Sequence, residues 1–364
     1  MGIIPKRTQD IIGLDIGTHS VKVICLKADY LVNIGVVEIS GDALSGLPLE
    51  ARDNLLINAI KRVLLENKIS VKNAVTSVSG DGVIVRYITL PKMTDKELKA
   101  TIKFEAEPHI SFDIEQVIMD YQILGDKVEE EVKKIDVLLV AAKKDVIQKH
   151  LSILEAVGLT PVAIDLDAFA LEESYEFTYP DEKTGSVALI DIGATFTNVN
   201  IVENGISRFT RDILIAGSNF TKVIQRDLRV DYKKAETLKR EKGMILLEEE
   251  VETTGAPEEN EEAMQIAEAI SGPIHELLAE LQRSFDYYQA QTHERSIMKI
   301  VLSGGSARLK NIDKFFSHEL KIPVQIDNPF AKLQINPKVY SQEYIEKVAP
   351  LFSVALGLAV RGRK

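Results

Sequence analysis

Cysteine is nearly missing from this chain: among 364 residues there is one, Cys25. One cysteine cannot staple a fold, which points to a reducing compartment. It lies in an apolar run, where a thiol serves as a small core group rather than a nucleophile. Histidine is scarce as well. His19, His109, His150, His275, His293 and His318 are scattered without metal-ligand spacing, which argues against a zinc centre. No stretch reaches the roughly 18 apolar residues that a membrane span needs. The start, MGIIPKRTQD, has too short an apolar run for a secretory signal, and Lys6 stands where an acylated Met-Gly start wants Ser or Thr. Positive charge is the minor sign: 44 Lys and Arg against 55 Asp and Glu leave a net charge of −11. With no basic stripe, nucleic acid is not an expected partner. Like charge that keeps soluble molecules apart accounts for the acidity. The expectation is a cytoplasmic protein with no membrane insertion of its own, any membrane association running through a partner.

What is present is a chain that is 45% hydrophobic and long enough for two domains of ordinary size. DIIGLDIGTHSVKVICLKAD and YLVNIGVVEIS read as consecutive strands. LEARDNLLINAIKRVLLENKI is an amphipathic helix with Leu55, Leu56, Ala59, Ile60, Val63 and Leu64 on one stripe. KNAVTSVSGDGVIVRYITL returns to strands. Thr94 and Glu97 then have capping-box spacing at the start of a helix that Pro108 ends. EQVIMDYQIL and KIDVLLVAAKK are strands around an acidic turn, GDKVEEEVKK, and DVIQKHLSILEAVGL is a helix ended by Gly158 and Pro161. Residues 81 to 160 thus form a small strand–helix–strand–strand–helix insert. Later, SRFTRDILIAG is a strand, and SNFTKVIQRDLRV and YKKAETLKREKG are helices. EEEVETTGAPEENEE reads as a solvated loop. A long helix after it is expected to break near Gly272-Pro273, and VAPLFSVALGLAV closes the chain as an apolar helix. Strands and helices alternate throughout, so the class is α/β with two related halves.

The relation between the halves shows in two motifs. GLDIGTHSVKVICL begins at Gly13 and LIDIGATFTNVNIV at Leu189, with Asp15 and Asp191 176 residues apart. Each is a strand that runs into Asp-x-Gly, turns over small polar residues and runs back out. Glycine two places after the aspartate permits a tight turn and a close backbone approach to a ligand. Successive N–H groups in such a turn make an anion site, to which Thr18, Ser20, Thr195 and Thr197 add hydroxyls. The aspartates repel phosphate unless Mg²⁺, keeping several waters, sits between. Two facing copies would clamp a metal triphosphate; the alternative is ordinary turn chemistry at two strand ends. VLSGGSARL adds a strand, Gly304-Gly305 and a helix start, the form of a site where a flat group lies on bare backbone. Glu236 and Lys239 share a helix face, either as a surface ion pair or as a carboxylate accepting ribose hydroxyls with a lysine beside the base or phosphates.

In this order the pieces resemble the actin/Hsp70/sugar-kinase superfamily, and within it the PilM family of actin-like, FtsA-related type IV pilus assembly proteins. EAEPHISFDIEQVIMDYQIL, AIDLDAFALEE, LQRSFDYYQAQ, IVLSGGSARLKNIDKFF, IPVQIDNPF and VALGLAVR carry the family resemblance. It implies an actin/Hsp70-like ATPase fold: two ribonuclease H-like halves, a nucleotide cleft between them and an inserted α+β module in the first half. The implied division is 1–80 with 159–184 and 340–364 as the first-half core, and 81–158 as the module. The second-half core is 185–216 with 297–339, and 217–296 is its lid. The implied cofactors are ATP and Mg²⁺, the metal between Asp15 and Asp191. Asp15, Gly17, Thr18 and Ser20 match the first phosphate loop, with Lys22 either reaching the phosphates or facing solvent. Asp191, Gly193, Ala194, Thr195 and Thr197 match the second loop. Gly217, Glu236, Lys239, Gly304, Gly305, Ser306 and Arg308 match the nucleoside contacts. Asp165 and Asp167 lie where the superfamily orients the attacking water, unless they cap the helix that follows.

The implied role is an ATP-binding assembly platform at the inner membrane, with slow hydrolysis at most. The module would either buttress the fold or help form the groove for the cytoplasmic N-terminal peptide of the membrane protein PilN. Other inner-membrane pilus proteins, motor ATPases and further copies of the chain are the remaining implied partners. A small-molecule kinase is the first alternative, and it needs a carboxylate base beside a substrate hydroxyl. The second is an FtsA-like membrane-tethered filament protein, against which the ending GLAVRGRK is short and lacks aromatics.

Overall fold

Two five-stranded sheets with the same strand order form the frame. The computed structural model describes residues 10–39, 47–129, 131–182, 184–247, 261–292 and 296–363. The first half opens with β1 (Ile11–Ile16), β2 (Ser20–Lys27), β3 (Tyr30–Glu38), α1 (Leu49–Glu66) and β4 (Asn73–Val78). Then come β5 (Val83–Pro91), α2 (Asp95–Ala106), β6 (Val117–Glu129), β7 (Val132–Lys143), α3 (Lys144–Ala156), β8 (Thr160–Leu166) and α4 (Asp167–Thr178). The second half runs through β9 (Ser186–Ile192), β10 (Thr197–Glu203), β11 (Ile206–Ile213), α5 (Gly217–Leu228), α6 (Tyr232–Lys242) and α7 (Glu261–Gln291). β12 (Lys299–Ser303), α8 (Ile312–Leu320) and β13 (Val324–Ile326) complete it, and α9 (Gln342–Val348) and α10 (Ser353–Arg361) return to pack on the first sheet.

The first sheet has the order β3-β2-β1-β4-β8 and the second β11-β10-β9-β12-β13. In each, three antiparallel strands are followed by two parallel ones. β1, β4, β9 and β10 are buried along almost their whole length, as strands covered on both faces must be. Two helices, α4 and α10, lie between the sheets. Val75, Ala170, Leu171, Val187, Leu189, Val354 and Leu358 make that shared apolar layer. The helices cross where Gly357 meets Ala170; a Cβ on Gly357 would stand 1.7 Å from the Ala170 carbonyl oxygen. The outer face of the first sheet is covered by α1, whose Ala59, Ile60 and Val63 are buried as its stripe predicts. α3 packs Ile153 and Leu154 into this same cluster.

β5, β7 and β6 form a third sheet in that order, with α2 on one face. α2 starts as its spacing predicts: Thr94 accepts from Glu97 N, and Glu97 accepts from Thr94 N at 2.7 Å. Pro108 lies in a 3₁₀ turn, Glu107–His109, directly after α2.

Four local expectations change. The acidic turn is mostly strand, because β6 and β7 pair as far as Glu129–Val132. Pro161 does not stop a helix but sits inside β8. The closing helix begins only at Ser353, after a 3₁₀ turn over Ala349–Leu351. α7 runs unbroken through Pro273. An interior proline costs about 3 kcal/mol. On both sides of it Ile266, Ile270, Ile274, Leu277 and Leu281 are fully buried in the second-half core. At roughly 1.5–3 kcal/mol for each such side chain, that stripe outweighs the proline. The acidic run expected as a loop lies largely outside the described residues.

Candidate functional site

The two Asp-x-Gly turns close in the same way: Gly17 N donates to Ser20 O and Gly193 N to Phe196 O, each at 3.1 Å. They face each other across the halves, and the Thr18 and Thr195 hydroxyls meet at 2.8 Å. The register is equivalent too. Asp15 lies opposite Lys22 on β2, and Asp191 lies opposite Asn198 on β10. One strand pair thus carries a cation where the other carries an amide.

Lys22 is not a solvent-facing strand residue. Its side chain is only 16% exposed, and its ammonium donates to Asp15 Oδ2 at 2.8 Å. Burial disfavours that charge, but Asp15 outweighs it, with Asp191 and Asp167 adding to the pull, so the pKa is raised. Burial pushes the Asp191 carboxyl up to about 7, against Lys22 and the Ser303 hydroxyl, which donates to Asp191 at 2.8 Å. Burial, then the Asp15 charge, pushes Asp167 up to about 6, while Ser77 donates to it at 2.5 Å. Asp15 thus bonds Lys22 directly, while the charges of Asp191 and Asp167 act on it from the second sheet and from the start of α4.

Asp165 is placed apart from this group. It pairs with Arg361 of α10 at 3.3 Å, accepts from Leu166 N, and shares its surroundings with Glu173. Neither aspartate caps α4, whose N-cap is Leu166 with no side-chain bond. Thr197 is inside the hairpin, its hydroxyl committed to Ile215 O at 2.7 Å.

The residues expected at the nucleoside side lie on α5, α6 and the Gly304 turn. Glu236 and Lys239 are no surface pair: they meet at 2.7 Å with side chains 15% and 9% exposed. Lys239 also donates to Gly217 O and to Thr221 Oγ1, at 2.9 and 2.8 Å. Burial would raise the Glu236 carboxyl, but Lys239 outweighs it and holds the group below its usual range. Gly217 N donates to Gly193 O at 3.0 Å and Ser218 N to Ala194 O at 2.8 Å, which ties α5 to the second turn. Gly304 has φ +89°, and a Cβ there would be 2.5 Å from Ile192 O. Only glycine fits, and Gly305, buried Ser306 and exposed Arg308 follow in a 3₁₀ turn. Sequence reasoning missed Ser77, Ser303, Asn198 and Arg240. Ser303 precedes Gly304 directly and had a signal; the others had none.

Two like sheets, an insert in the first half and a cleft between facing Asp-x-Gly turns define an actin-like ATPase fold. The chain belongs to the family of the type IV pilus assembly protein PilM, whose family model matches residues 13–363. A chain of the PilM–PilN type IV pilus biogenesis complex superposes with a TM-score of 0.83 at 28% identity, covering 99% of this chain and 100% of that one. The cell division protein FtsA of Bacillus subtilis (strain 168) is 26% identical over 353 residues, 87% of this chain and 78% of that protein. The ethanolamine utilization protein EutJ from Carboxydothermus hydrogenoformans shares the fold alone, with a TM-score of 0.55 at 14% identity over 99% of this chain and 92% of that one. Among the described residues, no helix is long and apolar enough to cross a membrane.

Proposed function

We propose that this chain is an ATP-binding platform of type IV pilus assembly that docks the N-terminal cytoplasmic peptide of a PilN-type membrane protein. The observation that carries the nucleotide part is the convergence of Asp15, Asp167 and Asp191 on Lys22. Half-buried carboxyls at about 6 and 7 are poorly satisfied by one ammonium and would be relieved by a divalent cation. The donor set fits Mg²⁺ held through its own waters: among the described residues, no three acidic, His or Cys side chains form a direct cage. Asp15 and Asp191 would hold the ion from the two halves, and the Gly17 and Gly193 turns would receive the phosphates. Bound Mg²⁺ would neutralise the phosphate charge that the aspartates otherwise repel. Hydrolysis is slow on this reading. Asp165 is held by Arg361, which leaves Asp167 as the one carboxylate of that pair beside the cleft. A kinase needs a free base, and both carboxylates of that pair are engaged, Asp165 by Arg361 and Asp167 by Ser77.

The peptide part rests on likeness to the PilM–PilN complex and on a cavity of about 290 Å³. Val83–Arg86 of β5 line it, with Asp81, Asp167 and Asp212. β5 pairs with β7 on one side and is an edge of its sheet on the other. An extended peptide can add to such an edge. The test is calorimetric titration of the purified chain with Mg-ATP, beside Asp15→Asn and Asp191→Asn. Weaker binding in both, with the fold intact, is expected; unchanged affinity in both overturns the nucleotide reading. Fluorescence anisotropy with a labelled PilN N-terminal peptide tests the rest. Arg86→Glu and Val85→Asp should abolish peptide binding and spare ATP. Peptide binding that survives both places the groove elsewhere.

A further inference from the structure

We infer that Arg240 is a strap across the mouth of the cleft, which holds the two halves together and slows nucleotide release. The inference rests on the nucleotide reading above, but the contact stands on its own geometry. Arg240 lies on α6 of the second half, one residue after Lys239 and four after Glu236. Its guanidinium has three acceptors. Nε donates to Glu236 Oε1 at 3.0 Å within its own helix. The other two acceptors belong to the first half: Glu38, the last residue of β3, takes Nη1, and His19 Nε2 takes Nη2 at 2.6 Å. His19 sits in the turn of the first phosphate hairpin, directly after Thr18, which itself meets Thr195.

One planar fork therefore links the helix that carries the ribose candidates to the hairpin that carries the phosphate candidates. A lysine could not replace it, because a single ammonium lacks the spread of donors. The acceptors suit a standing contact. Burial holds the His19 imidazole below its ordinary pKa, against the pull of Glu236, so Nε2 is free to accept. Glu236 is itself fixed by Thr221 at 2.6 Å and by Lys239. The anchor end is thus rigid, while Glu38 at the far end is exposed. Arg240 makes a side-chain ion pair that joins α6 to the first sheet. An exposed pair alone is worth little. Here Glu236 holds the guanidinium from its own helix, and parting the halves breaks both remaining bonds, to Glu38 and to His19.

The test uses the full chain, Mg²⁺ and a fluorescent N-methylanthraniloyl ATP chased with unlabelled ATP in a stopped-flow instrument. Arg240→Ala and Glu38→Gln should each release the nucleotide at least about fivefold faster, since interface contacts act mainly on dissociation. The double variant should be no faster than Arg240→Ala, because both changes remove the same bridge. Arg240→Lys should fall between, and added salt should speed the parent more than Arg240→Ala. Release rates of Arg240→Ala within about twofold of the parent overturn the strap. A second arm needs no nucleotide: spin labels at Lys61→Cys on α1 and Lys222→Cys on α5 report the separation of the halves. Arg240→Ala should broaden that distance distribution. An unchanged distribution overturns the strap, whereas a parent chain that binds no nucleotide overturns the nucleotide reading and leaves the strap to the distance arm.

Discussion

The phenol of Tyr87 and the hydroxyl of Ser207 meet at 2.7 Å, joining the three-stranded sheet of β5 to the second half. Ser207 Oγ in turn donates to Asn200 Oδ1 at 2.7 Å, and Asn200 Nδ2 to Ala168 O at 2.7 Å. Ala168 follows Asp167. A buried chain of three hydrogen bonds thus runs from the insert, through β11 and β10, to the first turn of α4. Tyr87→Phe should lower stability by about 1 kcal/mol, the usual worth of one such bond. It should also speed hydrogen exchange of the β5 amides relative to β1. Denaturant unfolding and exchange mass spectrometry check the two parts; β5 protection equal to the parent would show that the insert does not depend on this contact.

Glu172 lies at the same junction and sets a pH dependence. Burial, then the charges of Glu176 and Glu173, pushes its carboxyl from 4.5 up to about 7, while the Ser207 backbone N–H favours the ion. The unfolded chain loses this proton near 4.5 and the folded chain holds it until about 7. Folding therefore binds a proton between those values, and this group's share of stability falls as pH rises through that window. Glu172→Gln should be close to the parent in stability at pH 5 and more stable at pH 8, by roughly 1–3 kcal/mol. Thermal unfolding of both proteins across this range is the measurement.

Asp191→Asn should act with opposite signs on stability and on binding. In nucleotide-free protein it removes a half-buried carboxyl raised to about 7, so the melting temperature at pH 8 should rise. Mg-ATP affinity should fall, by a few kcal/mol at most, because the carboxylate would act through water. Calorimetry and melting curves on one preparation separate the two. A variant that loses both stability and affinity would mean that Asp191 serves Lys22 and the fold rather than a cation.

Gly357→Ala tests the helix pair between the sheets. The added Cβ would stand 1.7 Å from Ala170 O, and backbone cannot yield as a side-chain tip can. The expected loss is about 3 kcal/mol or more, or failure to accumulate as folded protein. Gly272→Ala is the control. It lies in α7 with nothing within 4 Å of its Cβ position, so it should be neutral or stabilising.

Much of this molecule is decided within short stretches of chain. Alternating and continuous apolar runs specify β1–β4 and β9–β12, the Thr94–Glu97 spacing specifies the start of α2, and the spacing of apolar residues specifies the buried stripe of α1. The repeated Asp-x-Gly hairpin likewise announced two like halves, because a turn and its flanking strands depend on neighbours in sequence. What local pattern could not decide is which side chains face one another. Asp165 and Asp167 are two places apart, yet one meets Arg361 of the last helix and the other meets Ser77 of β4. Lys22 could have faced water; the register opposite Asp15 and the approach of Asp191 made it the centre of the cleft. Pro273 signals a break, and only the core that α7 crosses outweighs it. The bond of Arg240 to His19 spans 221 residues. Periodicity and caps act through neighbours within one or two turns, so they are legible in the chain; burial, charge pairing and closure act between segments that only folding brings together.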